Sequence, residues 1–459
     1  MTSSAGLPME KLLHYVWLHR LLPAAGLVTD EGEPVDVLSP GLPNRNAGPD
    51  FTGAKVRIGS TLWVGDVELH RRSSDWQHHG HDSDPAYNHV VLHVVARRDA
   101  DAFTAQGERV PQAELPVPPA LLAGYEALLA APACPPCRSA ATHVPAAEAH
   151  AWLTALAVER LEEKTARVDR LLALTGGDWE YTFFVMLARA FGFGVNGEAF
   201  EAWALSLPPA AIGKHRDQLF QVEAFFLGQA GLLAPEAVGE ERRDAYWQRL
   251  AGEYAFLRRK FGLVPLSATR WKFLRLRPQN FPHVRLAQLA ALYHGGRARL
   301  SAVLDARSAA DVRRLFATSA TGYWETHYTF GRESAPRHKT LQGASLDGLL
   351  INAAAPLLFA YGRRHDDEGR CERATEWLEE TPPESNHITR AWTEAGLPPR
   401  SAAESQALVR LQQAYCDRRD CLRCRFGAAF LKRAGRPAQP DTTAGSAAGA
   451  SLPPDPDKP

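Results

Sequence analysis

Residues 46–95 read NAGPDFTGAKVRIGSTLWVGDVELHRRSSDWQHHGHDSDPAYNHVVLHVV. Three runs in this stretch have the composition of strands: 51–58, 61–71 and 89–96. Gly59-Ser60 separates the first two, and a loop dense in His and Asp separates the last two. Alternate residues of a strand share a face. Asp66, Glu68 and His70 therefore stand on one side of the second run, with Gly65, Val67 and Leu69 on the other. Buried carboxylates need charge partners, and a cation in a cleft would supply them. Carboxylate oxygens suit Mg²⁺ or Mn²⁺, and an imidazole moves the choice toward Mn²⁺, Fe²⁺ or Zn²⁺. If the first two runs pair as a hairpin, Asp50 comes near Glu68. Two such carboxylates can clamp one cation beside a phosphodiester and activate water for attack. The plainer alternative is a solvated sheet face, with Asp66 and Glu68 in surface ion pairs of little worth.

Around this stretch, residues 8–22 have helical periodicity, 35–38 and 113–117 are short strand candidates, and residues 1–118 read as a small mixed α/β unit. Glu10 and His14 lie one turn apart on the opening helix and face the same way. Glu10 also continues a stripe with Trp17 and Leu21, which suits packing. In the loop, Asp75 reads as a cap and Trp76 as a packing residue, while His78, His79 and His81 rank below the strand residues as ligands. His93, inside VVLHVV, fits either a core histidine or a neighbour of the site.

Pro49-Asp50 followed by Glu68-Leu69-His70 resembles the signature of the PD-(D/E)XK nuclease superfamily, with His70 where that signature has a lysine. The resemblance implies a restriction-endonuclease-like sheet flanked by helices, metal-dependent phosphodiester hydrolysis, and Asp50 and Glu68 as ligands. It also implies that an acid from the opening helix can join the metal. A histidine in the lysine position can act as base or ligand but lacks a fixed charge. Over nearly its whole ordered length the chain resembles an uncharacterised bacterial family, domain of unknown function 2851. The resembling segments are LSPGLPNRNAGPDF, GDVELHRRSSDW, YNHVVLHVV, LRLRPQNFPHVRLAQLA, YWETHYTFG and CDRRDCLRC.

The chain has 459 residues, too many for one ordinary core, and is 45% hydrophobic and 23% charged, as in soluble globular proteins. Acids and bases balance at 52 each, so nucleic-acid binding would have to come from a local patch. The opening residues lack the form of a signal peptide, no membrane span is expected, and six cysteines in so long a chain suit a reduced, cytoplasmic setting. A Pro-rich linker is expected over 119–145, a large mostly α-helical domain over 146–434, and a disordered tail over 435–459. No repeat of fixed period is present.

Two further features carry chemistry. Cys416, Cys421 and Cys424 form C-x4-C-x2-C and suit zinc or an iron–sulfur cluster, with Cys371 or Cys137 available as a fourth ligand. Three reduced thiols held by packing is the plainer reading. Cys134-Pro135-Pro136-Cys137 resembles a redox motif set in a linker and is discounted. Residues 268–299 contain seven Lys or Arg and no acid, with Arg270, Lys272, Arg275, Arg277 and Arg285 interleaved with Trp271, Phe273 and Phe281. That pattern suits phosphate contact and base stacking, or else a helix whose arginines pair with acids elsewhere. The functional expectation is a metal-dependent nuclease with Asp50, Glu68 and His70 at its centre and Asp66 in support. The rivals are a non-catalytic nucleic-acid-binding or scaffold protein on a degenerate nuclease fold and, more weakly, a hydrolase of small phosphorylated substrates.

Overall fold

Strand β5 (Thr61–Arg72) is the spine of the N-terminal part. It pairs antiparallel with β4 (Phe51–Ile58) on one side and parallel with β6 (Val90–Arg97) on the other. The sheet runs β1 (Leu27–Val28), β2 (Pro34–Ser39), β4, β5, β6, β7 (Gln112–Glu114), with β3 (Leu42–Pro43) added on β4. Helix α1 (Gly6–Leu18) packs on β5 and buries Leu12, Leu13, Val16 and Trp17. Trp76, Tyr87, Val90, Ala102 and Val110 form a second buried cluster. With neighbours along both edges and cover on both faces, β5 is buried from Val67 to His70 and β6 from Leu92 to Val95. Central position is why two charged-type residues of β5 are interior.

This computed structural model describes residues 6–23, 25–44 and 46–434, so the tail expected to be disordered lies outside the described residues. The chain forms two compact units, Met1–Val144 with Arg419–Pro459, and Pro145–Arg418. That division differs from the one expected at 118. Helices α2 (Asp75–His78), α3 (Pro119–Ala130) and α4 (Arg138–Ala141) all belong to the first unit, and the closing helix Arg425–Ala434 packs on α3 and α4. The supposed linker is thus largely helical.

The second unit is helical apart from a two-strand pairing of Ser319–Ala320 with Lys339–Thr340. It opens with α5 (Ala146–Leu174) and α6 (Trp179–Phe191), the latter capped by Asp178, whose carboxylate accepts from Tyr181 N at 2.9 Å. Helix Pro282–Gly295 is separated from Leu300–Asp305 because Gly296 turns left-handed at φ 67° and ends the first. Among the described residues one helix, Ala344–Arg364, is long and apolar enough to cross a membrane, against the expectation of none; 61% of its apolar window is buried inside the fold, as in a core helix.

Candidate metal centre

A bulge sets the geometry of the site. Between Ala54 and Ile58 each residue of β4 faces its β5 partner in simple register, but between Phe51 and Ala54 the register slips by one. Gly53, at φ 66°, takes up the extra residue, and Asp66 Oδ1 accepts from Gly53 N at 3.2 Å. Phe51 then faces Val67, which sets Asp50 beside Glu68. Asp50 N donates to Glu68 Oε2 at 2.9 Å, and Leu69 N donates to Asp50 Oδ2 at 3.0 Å. The two acids are brought together as hairpin pairing predicts. Asp66 is not: it is occupied in holding the bulge, which replaces the metal-supporting role expected from strand parity.

Behind Glu68 lies a cluster of imidazoles. His70 Nε2 is 3.5 Å from Glu68 Oε1, and His81 Nε2 is 3.3 Å from the same oxygen. His70 Nε2 lies 3.1 Å from His79 Nδ1, and His70 Nδ1 lies 2.9 Å from His93 Nε2. One donor atom from each of His70, His79 and His81 falls within 4.8 Å of the others. His70, His81 and His93 are buried, while His79 is exposed, so the cluster opens to solvent on one side. His89 is exposed on the preceding turn.

The loop reaches β5 because its base is anchored. Asp75 is not the cap expected, since Ser74 holds that position, but its Oδ2 accepts from Arg72 N at 3.0 Å; Trp76 is fully buried with its Nε1 on Phe103 O at 2.8 Å, the packing part expected. Asp99 accepts from Ser74 N at 2.9 Å and steadies the same turn. His79 N then returns to Asp75 O at 2.9 Å and His81 N to Trp76 O at 3.0 Å. Those bonds fold both histidines back over the strand. His81 also stacks on Tyr87 with ring centroids 3.7 Å apart. The two loop histidines ranked low from sequence are therefore central to the site.

Electrostatics favours a bound cation. Burial lowers His70 to about 2, with His93, His79 and His81 adding to the effect, and burial lowers His93 to about 3. These imidazoles are neutral, the form that ligates metal. Burial raises Glu68, with His81 close by working the other way. For His14, burial opposes charge, yet Asp50 at 3.2 Å outweighs it with help from Glu10 and Glu68, and the net shift is upward. Glu10 is raised, chiefly by burial, and senses His14, Asp50 and His79, so it stands at this site rather than only in a packing stripe.

Three imidazoles are gathered closely enough to share one ion, with Glu68 beside two of them. A tetrahedral ion with nitrogen and oxygen ligands at about 2.05 Å has donor–donor edges of about 3.3 Å. The Glu68–His81, Glu68–His70 and His70–His79 separations of 3.3, 3.5 and 3.1 Å match such edges. His81 Nε2 is buried and, despite its nearness to Glu68, makes no hydrogen bond of regular geometry. His93 Nδ1 is likewise buried without a partner. Lys55, the nearest lysine in sequence, is exposed on the other face of β4.

The remaining candidates lie elsewhere in the chain. Arg270, Lys272, Arg275 and Arg277 are exposed on a segment that is not helical, with single turns at Ala268–Arg270 and Pro278–Asn280. Among the described residues none of the four enters an ion pair. Arg285 differs: it is buried, bonded to Gln288 and Asn280 and placed over the Phe193 ring, and so is excluded from a surface interface. Trp271 is also buried, with Nε1 on Ala230 O, and offers no face for stacking. Cys371 and Cys416 belong to the second unit, Cys421 and Cys424 to the first. Cys371 Sγ is 3.6 Å from Phe359 O, and its electrostatic neighbours are Arg363, Asp367, Glu368 and Glu372.

Fold and site together define a protein with a mixed α/β unit bearing a histidine–carboxylate cluster and a second, helical unit. The chain belongs to the family described as protein of unknown function (DUF2851), whose profile it matches over residues 10–387. No curated protein and no solved structure matches it.

Proposed function

We infer that this protein is a cytoplasmic metal-dependent phosphodiesterase acting on nucleic acid, with its centre at Glu68, His70, His79 and His81 and with Asp50 beside it. The observation that carries the reading is the meeting of Asp50 and Glu68 across the hairpin, with three imidazoles gathered on the far side of Glu68. A helix, antiparallel strands carrying an acid on each, and a following parallel strand also agree with the superfamily that Pro49-Asp50 and Glu68-Leu69-His70 resemble. Three nitrogen donors favour Mn²⁺ or Zn²⁺ over Mg²⁺.

A divalent ion here would supply Lewis-acid polarisation of a phosphoryl oxygen and of water. Glu68 would balance the ion's charge, and His93 orients His70 through Nδ1 so that Nε2 faces inward. Asp50, fixed by Leu69 N and His14 beside Glu68, can accept a proton from an attacking water. His14, raised toward its charged form and one-third exposed, offers the positive charge that a lysine gives in the resembling enzymes and can donate a proton to the leaving oxygen. The four unpaired cations at 270–277 suit contact with a phosphate backbone.

Purified protein with Mn²⁺ or Zn²⁺ should cleave single- or double-stranded DNA or RNA, and Glu68→Ala should abolish cleavage while retaining binding. Binding without cleavage by the wild-type protein under any of these metals would leave the non-catalytic reading, which the exposed basic segment alone supports. Cleavage limited to small phosphodiesters, with no nucleic-acid binding, would instead favour the small-substrate reading.

A further inference from the structure

Two Cys-x-x-Cys turns lie in the first unit, roughly 280 residues apart in the chain. Cys134-Pro135-Pro136-Cys137 leads directly into α4, and Cys421-Leu422-Arg423-Cys424 leads directly into the closing helix Arg425–Ala434. The closing helix packs on both α3 and α4. Arg419 ties the two approaches together: its Nη2 donates to Ala131 O at 2.5 Å, three residues before Cys134. The second turn is tight, because a Cβ on Gly427 would lie 2.1 Å from Cys421 O. Cys137, Cys421 and Cys424 are buried, and Cys134 is half-buried.

We propose that Cys134, Cys137, Cys421 and Cys424 hold one zinc ion as a tetrathiolate that staples the closing helix to the N-terminal part of the first unit. A two-residue gap lets both sulfurs of a pair reach one ion, and two such pairs complete a closed structural site. The surroundings of the thiols agree. Cys137 is pushed up by burial first, then by Cys424, Cys421 and, less strongly, Cys134. Cys421 is pushed up to about 11 by burial and then by Cys424, with Arg419 opposing. Loading exchanges four S–H protons for one Zn²⁺, releasing four protons and leaving a net charge of −2, which the Arg419 guanidinium beside Cys421 partly offsets. The proposed set leaves out Cys371 and Cys416, which fall in the second unit.

The centre is separable by experiment from the Glu68 cluster, which contains no sulfur. Full-length protein purified anaerobically should contain zinc, and exchange with Co²⁺ should give sulfur-to-cobalt charge-transfer absorption. Wild type, Glu68→Ala, Cys371→Ser and Cys416→Ser should all show that band in full. Cys137→Ser and Cys421→Ser should lose it, and Cys137→His should keep one bound ion with a weaker band, a readout that survives if the serine variants fail to fold. The proposal is overturned by absence of the band in the wild type, by its survival in both serine variants, or by its loss in Cys371→Ser or Cys416→Ser. A brown chromophore with iron and labile sulfide would overturn zinc in favour of a cluster.

Discussion

Glu68 shows how one side chain can be held in a form it resists. Burial favours its neutral state, yet it accepts from Asp50 N and faces two imidazoles. Removing its charge with Glu68→Gln should weaken Mn²⁺ or Zn²⁺ binding at the histidine cluster by more than about 100-fold in calorimetry, with little change in fold. His93 touches His70 rather than the ion, so His93→Ala should cost about 10- to 100-fold, the usual scale for an outer partner of a ligand. A second buried acid lies in the helical unit. Glu223, bonded by the Tyr246 hydroxyl, is raised from 4.5 to about 7, chiefly by burial. Between those values the folded chain holds a proton that the unfolded chain has released. The stability contributed by this group is therefore full at low pH and is lost as pH rises from about 4.5 through 7, at up to about 1.4 kcal/mol per unit. Urea titrations of the wild type and Glu223→Gln across pH 4.5–8 should differ by that slope, and parallel curves would show that Glu223 is not the source.

The bulge in β4 is the element on which the site depends. Without it, the register of Ala54–Ile58 would continue and set Asp50 opposite Leu69 instead of Glu68. Asp66→Ala removes the acceptor for Gly53 N and should lower metal affinity about tenfold while leaving the melting temperature within a few degrees, as measured by calorimetry and thermal unfolding. Alternation in 51–58 and 61–71 was enough to read the hairpin and the meeting of Asp50 with Glu68, because strand periodicity and a two-residue Gly-Ser turn are local signals. Parity overreached at Asp66, since a bulge leaves no mark on a simple alternation. The loop histidines were ranked low for a different reason. Their place depends on Trp76 and Asp75 turning the chain back on β5, a tertiary event that composition does not reveal. The helical character of 146–434 is legible from apolar spacing, as at Ala146–Leu174, whereas the break at Gly296 is set by a backbone turn. Cys134 and Cys137 were set aside because a proline-rich stretch reads as linker when its partner helix lies far along the chain.

At the scale of the molecule, the second unit is an insertion within the first. It has its own buried core, including Phe183, Phe225, Phe226 and Phe316. Pro145–Arg418 expressed alone should therefore unfold cooperatively on heating, and failure to do so would show that its core needs the first unit. Within that unit, Gly228 lies where a Cβ would meet the Tyr254 ring at 2.1 Å. Gly228→Ala should lower stability by about 1–3 kcal/mol through overpacking, read as a shift in urea midpoint at constant slope.

That insertion also sets an order of events during synthesis. Cys134 and Cys137 leave the ribosome with the sheet, but the helix that packs over their turn is made only after the whole helical unit. At roughly 5–20 residues per second, the interval is about 15–60 s. Throughout it, the flank of α3 and α4 on which that helix packs stays uncovered. Folding of the first unit is thus a matter of waiting: a piece of it is made only after the helical unit, and any factor that shields thiols or holds helices has a defined window in which to act.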